Sequence, residues 1–248
     1  MNQAKAGFAN FTSLVESLRP VIEAHAGNVD ETEDEILARA EKYFAKALSK
    51  AISSKMGLDI GPPEMLKLAD ELWKEIEPLL RIARADWTLF WRQLTYVAVN
   101  YSQGSSGSES SAEGMLTMLL GNEDTYPFYD TLTADHHAKL KAWLEKWNQS
   151  LIICHQFYLD QPSPKSFSPP CERMHLANPK YTLREWMLVD AYTKANGSKF
   201  VPGDYSLVHE LHELCKDPYG EGSPYSHKKF YRRAPDETLR TGGTAFMS

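Results

Sequence analysis

The first apolar positions of the chain, Phe8, Phe11, Val15, Leu18 and Ile22, recur at steps of three and four, the repeat of a helix with one buried face. Pro20 stands near the end of that run, where it is expected to kink or close the last turn. A second run, Ile36, Tyr43, Phe44, Ala47, Ile52 and Met56, follows a capping box of Thr32 and Glu35. It stops at Gly57, because glycine enters the left-handed C′ conformation without steric cost. Pro62-Pro63 opens a third helix with Leu66, Trp73, Ile76 and Leu80 inward, which Pro78 should kink or end. Asp86 caps a fourth that carries Trp87, Phe90, Trp91, Leu94, Tyr96 and Val97. That aromatic arc is wider than one buried stripe requires, so part of it is expected to lie bare on the surface.

A short helix at Met115–Leu120 and a turn at Tyr126-Pro127 precede the longest pattern, Ala134 to Tyr158, with Leu140, Trp143, Leu144, Trp147, Leu151 and Phe157 inward. Two further helices are expected, near Lys180–Ala195 and Tyr205–Lys216. The polar stretch 102–111 and the proline-rich stretch 161–170 are loops. Beyond Asp217-Pro218 the chain turns irregular. No sustained β alternation occurs, so the fold class is all-α, an irregular multi-helix bundle over residues 1–218 with an irregular tail over 219–248.

Composition adds exclusions. With 248 residues, 42% of them hydrophobic, the chain can bury a core without disulfide or metal staples. Its net charge of −6 and the lack of any basic run longer than Lys228-Lys229 or Arg232-Arg233 argue against a nucleic-acid partner. Cys154, Cys171 and Cys215 are odd in number and widely spaced, which fits a reducing interior rather than a disulfide framework. No 18 apolar residues run together, and the first residues form neither a signal nor a transit peptide.

The residue types that carry chemistry do not assemble into a site. His209, His212 and Cys215 share a helix face, but the metalloprotease pattern needs histidines four apart around a Glu, and His209-Glu210-Leu211-His212 is one residue short. A solvated face is the simpler reading. His136-His137 and Cys154-His155 have no carboxylate arranged for nucleophilic catalysis. Asp34, Glu35, Glu71, Glu75 and Glu77 belong to polar helix faces. Phosphate-cradling glycine loops and kinase motifs are absent, and Gly242-Gly243 has no helix after it. The expected catalytic, cofactor-binding and metal-binding residues of this chain are therefore none.

Two segments point further. Ala85-Asp86-Trp87-Thr88-Leu89-Phe90-Trp91-Arg92-Gln93-Leu94 is the first. The second is Met174-His175-Leu176-Ala177-Asn178-Pro179-Lys180-Tyr181-Thr182-Leu183-Arg184-Glu185-Trp186-Met187, followed by Gly203-Asp204-Tyr205 and Asp217-Pro218-Tyr219. With the stretch from Tyr43 to Lys55-Met56-Gly57-Leu58, these resemble the C-terminal part of the selenoprotein O (YdiU-like) family of protein adenylyltransferases. The resemblance covers essentially the whole chain, and the Asn178–Trp186 block is its most specific element.

The resemblance implies the C-terminal helical part of an atypical kinase fold that transfers AMP from ATP to protein hydroxyls, with Mg²⁺ or Mn²⁺ neutralising phosphate charge. It also implies that the nucleotide-binding residues precede the matched region. The chain alone is then inactive, and its partners are the missing N-terminal kinase-like half and the protein substrates of the whole enzyme. The implied compartment is mitochondrial in eukaryotes or cytoplasmic in bacteria. Within the block, Asn178 suits an N-cap and Pro179 the first helical turn, with Leu183, Trp186 and Met187 as a buried stripe and Arg184 either paired across an interface or solvated. Phe246-Met247-Ser248 falls where the family's Cys or selenocysteine tail would follow, as a stop at a selenocysteine codon or a truncation would produce. The alternative reading is a stand-alone helical interaction module without enzymatic activity.

Overall fold

Twin helical stops shape the first half of the molecule. At the end of α2 (Glu33–Lys55) Leu58 N donates to Ser53 O at 2.8 Å and Gly57 N to Ser54 O at 3.2 Å, with Gly57 at φ +73°. This pair of bonds is the Schellman arrangement. A Cβ on Gly57 would also come within 2.9 Å of both Leu151 Cδ1 and Met174 Sδ, so space as well as φ demands glycine. The same pattern ends α3 (Glu64–Ile82), where Ala85 N meets Leu80 O at 2.8 Å and Arg84 takes the left-handed position at φ +49°.

The computed structural model describes residues 3–25, 33–59, 62, 64–102, 111–160, 168–198 and 202–235. Besides α2 and α3, its helices are α1 (Gln3–His25), α4 (Trp87–Ser102), α5 (Ala112–Leu120), α6 (Ala134–Leu159), α7 (Pro170–Ala177), α8 (Glu185–Asn196), α9 (Ser206–Lys216) and α10 (Pro224–Phe230). An isolated antiparallel bridge pairs Ala85 with Phe128. The all-α class holds. Thr32 of the capping box, Pro63, loop residues 103–110 and 161–167, and the end of the chain with Gly242-Gly243 and Phe246–Ser248 lie outside the described residues, as does the side chain of Ile22.

Two apolar clusters form the interior. The larger joins α2 to α7; α3 contributes Met65, Ala69, Leu72, Ile76 and Leu80, a stripe at helical spacing, against Leu140, Trp143, Leu144, Trp147 and Leu151 of α6. Each of those α6 tryptophans buries its ring and still satisfies its donor: Trp143 Nε1 bonds Leu72 O and Trp147 Nε1 bonds Met56 O, both at 2.9 Å. The smaller cluster is built from Tyr181, Trp186, Met187, Ala191, Leu207, Leu211, Phe230, Tyr231 and Ala234, with Leu89 of α4.

Helix α4 supplies side chains to both clusters, and every residue from Leu89 to Leu94 is buried. Its wide aromatic arc is thus covered from within the chain, contrary to the expectation of a bare face on this helix. Exposed large apolar side chains occur on other helices, among them Leu14, Leu18 and Val21 of α1, Tyr43, Phe44 and Leu48 of α2, and Ile152 and Ile153 of α6.

Other expectations change as well. Pro20 and Pro78 do not close their helices, which run on to His25 and Ile82. Both rings are exposed, on the side where water can take up the unpaired carbonyl. Helices α7 and α10 stand where loop or irregular chain was expected, and Phe230, Tyr231 and Ala234 pack into the smaller cluster. Asn178 is the C-cap of α7, with its N–H on Met174 O at 2.9 Å, and not an N-cap. The following helix starts only at Glu185, and Leu183 is exposed while Trp186 and Met187 are buried.

Candidate functional site

The segments that carry the family resemblance meet at one place. Asp86 precedes α4, and its Oδ1 accepts from Leu89 N at 3.0 Å, the expected cap. The same carboxylate is gripped by both terminal nitrogens of Arg184, with Nη2 to Oδ1 at 2.8 Å and Nη1 on Oδ2, and both residues are buried. Arg184 Nη1 also donates to Arg232 O at 3.3 Å. A fork of this kind satisfies the planar guanidinium and fixes its orientation.

Arg92 lies further along α4 and is wholly buried. Its Nη1 donates to Asn178 O at 3.0 Å and His175 O at 3.3 Å; its Nη2 donates to Tyr219 O at 2.9 Å and Glu221 Oε1 at 2.6 Å. Its Nε reaches Tyr96 Oη at 3.2 Å. Glu221 in turn accepts from Lys180 Nζ at 2.7 Å and Tyr96 Oη at 2.8 Å on Oε2. Asn178 donates to Lys55 O at 2.9 Å and Thr95 Oγ1 at 3.0 Å, and its Oδ1 accepts from Lys55 Nζ at 3.3 Å.

Electrostatics follow from these contacts. Burial raises the Glu221 carboxyl, but the bonds from Lys180 and Tyr96 and the Arg92 charge outweigh it and hold the group at about 2. Burial, then the Arg92 charge, lowers His175, whose ring is neutral at pH 7 with Nε2 placed 3.3 Å from Arg92 Nη2. Burial lowers Lys180. The cations of the network are spent on carbonyl oxygens and on Asp86 and Glu221. This arrangement braces the chain between α4, the 178–184 segment and the 217–222 turn.

The sequence candidates for chemistry are scattered. His209, His212 and Cys215 are exposed on α9. His137 meets Thr133 O through Nδ1 at 3.0 Å at the start of α6. Cys154 is buried in the larger cluster, and burial pushes its thiol up to about 11, so it stays protonated. Glu77 pairs with Arg81, and Glu75 with Lys146. Among the described residues no group of three or more His, Cys, Asp or Glu is placed to hold a metal ion, and no helix is long and apolar enough to cross a membrane. Sequence reasoning missed the Arg92–Glu221–Lys180 network. The signal was an arginine set among aromatic residues on a helix with apolar positions all round.

Comparison with known proteins supplies the relationship. The chain is 25% identical over 243 residues to the protein nucleotidyltransferase YdiU of Rhodopirellula baltica, covering 96% of this chain and 39% of the relative. It is 26% identical to that of Flavobacterium johnsoniae, over 100% of this chain and 40% of the relative. For Vibrio vulnificus the figures are 28%, 88% and 36%. The chain is a homologue of the YdiU protein nucleotidyltransferases. It spans about two fifths of the length of these YdiU relatives, which are all bacterial. No family model and no solved structure matches it.

Proposed function

We propose that this chain is the non-catalytic helical part of a YdiU-type protein nucleotidyltransferase. In that reading AMP passes from ATP to Ser, Thr or Tyr hydroxyls of target proteins, and the nucleotide is held by a half that the chain does not include. ATP and Mg²⁺ or Mn²⁺ belong to that half, where positioning and charge neutralisation do most of the catalytic work. The observation that carries the reading is the match itself: nearly all of this chain aligns with only about two fifths of each relative. The bracing network agrees with it, since its buried charges are occupied by backbone and by one another. Exposed Leu14, Leu18 and Val21 of α1 and Tyr43 of α2 offer a face on which the remaining polypeptide can rest.

A second reading, a helical interaction module that works alone, draws support from one feature. The aromatic helix α4 is enclosed by this chain's own two clusters, so it needs no other polypeptide to cover it. Co-purification from source cells separates the two. The first reading expects the chain joined to, or complexed with, a polypeptide bearing a nucleotide-binding core. Recovery as a free 28.1 kDa monomer favours the second.

A further inference from the structure

A cavity of about 340 Å³ opens between α2, α3 and the start of α4. Leu48, Ala51 and Ile52 form one wall, and Trp73, Leu80 and Trp87 the other. The volume lies within the range of small-ligand pockets, which are mostly apolar with a few placed polar groups. This one is also stiff. Trp73 and Trp87 meet edge to face at 5.6 Å, and both rest on Trp91, which is buried, at 6.1 and 5.5 Å. The indoles brace one another along this wall.

The polar part of the lining is unbalanced. Glu77 and Arg81 both line the cavity and are ion-paired with each other. Lys55 is different: its ammonium donates to Ala177 O at 3.2 Å and Asn178 Oδ1 at 3.3 Å and lies 5.8 Å from the Trp87 ring centre. Among the described residues no carboxylate pairs with it. Burial lowers its pKa to about 8, so it remains mostly protonated at pH 7. A half-buried cation satisfied only by neutral oxygens gains from an anion that can reach it.

We propose that this cavity is a binding site for a small aromatic carboxylate, with the ring against the Trp73–Trp87 wall and the carboxylate on the Lys55 ammonium. The flat indole surfaces favour a ring over a flexible chain, since aromatic pairs gain beyond area burial. The proposal goes beyond the reading of the chain as part of a nucleotidyltransferase and does not depend on it. Ligand and nucleotide would be held by different polypeptide segments.

The test is calorimetric titration of the full chain with 1-naphthaleneacetate and with its uncharged counterpart 1-naphthaleneethanol. The acid should bind at one site with a Kd below about 100 µM, and the alcohol roughly tenfold more weakly. Lys55→Met should bring the two within about twofold of each other. Ala51→Trp, which plugs the mouth from an exposed position of α2, should abolish binding of both while leaving the melting curve unchanged. Three results would overturn the proposal: no saturable binding of the acid, equal affinities for acid and alcohol, or binding that survives Ala51→Trp. A dimer that the same substitution dissociates would assign the cavity to a second copy and overturn it as well.

Discussion

Arg184 and Asp86, 98 residues apart, form a buried two-pronged ion pair at the N-terminus of α4, and Asp86 caps that helix with the same carboxylate. One side chain therefore starts the central helix and anchors the segment that leads into α8. Removing either partner leaves a buried charge without its counterion, which costs about 3–5 kcal/mol. Arg184→Met and Asp86→Asn should each lower unfolding stability by that order in denaturant titrations. Arg184→Lys should recover little, because an ammonium cannot reproduce the fork. A wild-type midpoint in Arg184→Met would show that the pair braces nothing.

Glu221 predicts an acid response. Its folded carboxyl sits at about 2 against an ordinary 4.5, so the network's contribution is fully present above pH 4.5 and is lost as pH falls toward 2. Wild type should exceed Glu221→Gln in urea midpoint at pH 6, and the gap should narrow through that window. The half-exposed carboxylate makes the gap modest. A gap independent of pH would contradict the assignment.

Trp186 is buried at the edge of the smaller cluster, with the Arg232 guanidinium 5.1 Å from its ring centre. Trp186→Ala should lose roughly 3–5 kcal/mol. An unchanged melting curve would mean that the α8–α10 cluster contributes little to stability.

The apolar face of α1 makes a solution prediction. Leu14, Leu18 and Val21 are each more than two fifths exposed. The purified chain should self-associate as concentration rises in sedimentation experiments, and a Leu14→Glu/Leu18→Glu variant should remain monomeric. Monomeric wild type at high concentration would favour the independent-module reading.

What could be read from the sequence was what local spacing controls. The α6 stripe, Ile76 and Leu80 of α3, the Gly57 stop and the Asp86 cap all depend on neighbours within one or two turns. Leu66, expected inward on α3, is exposed, because Met65, Ala69 and Leu72 carry the buried face of that helix. Helices α7 and α10, eight and seven residues long, are too short for a repeat to stand out, and each begins at a proline that resembles a loop residue. Asn178 shows the other limit. Asn before Pro suits the start of a helix, yet its place at the end of α7 is fixed by Lys55 and Thr95, distant in the chain. Arg92 stands in a segment that resembles the family, but only the fold reveals the carbonyls that it gathers from the 175–178 and 219 segments.

The reading of this chain as a non-catalytic part of a larger nucleotidyltransferase is tested most directly by calorimetry of the purified chain with ATP and Mg²⁺. It predicts no saturable heat, because the phosphate-cradling loop is absent from the sequence and the buried Arg92, Lys180 and Arg184 are held by Glu221, Asp86 and carbonyl oxygens. A stoichiometric site tighter than about 100 µM, roughly −5.5 kcal/mol, would contradict it.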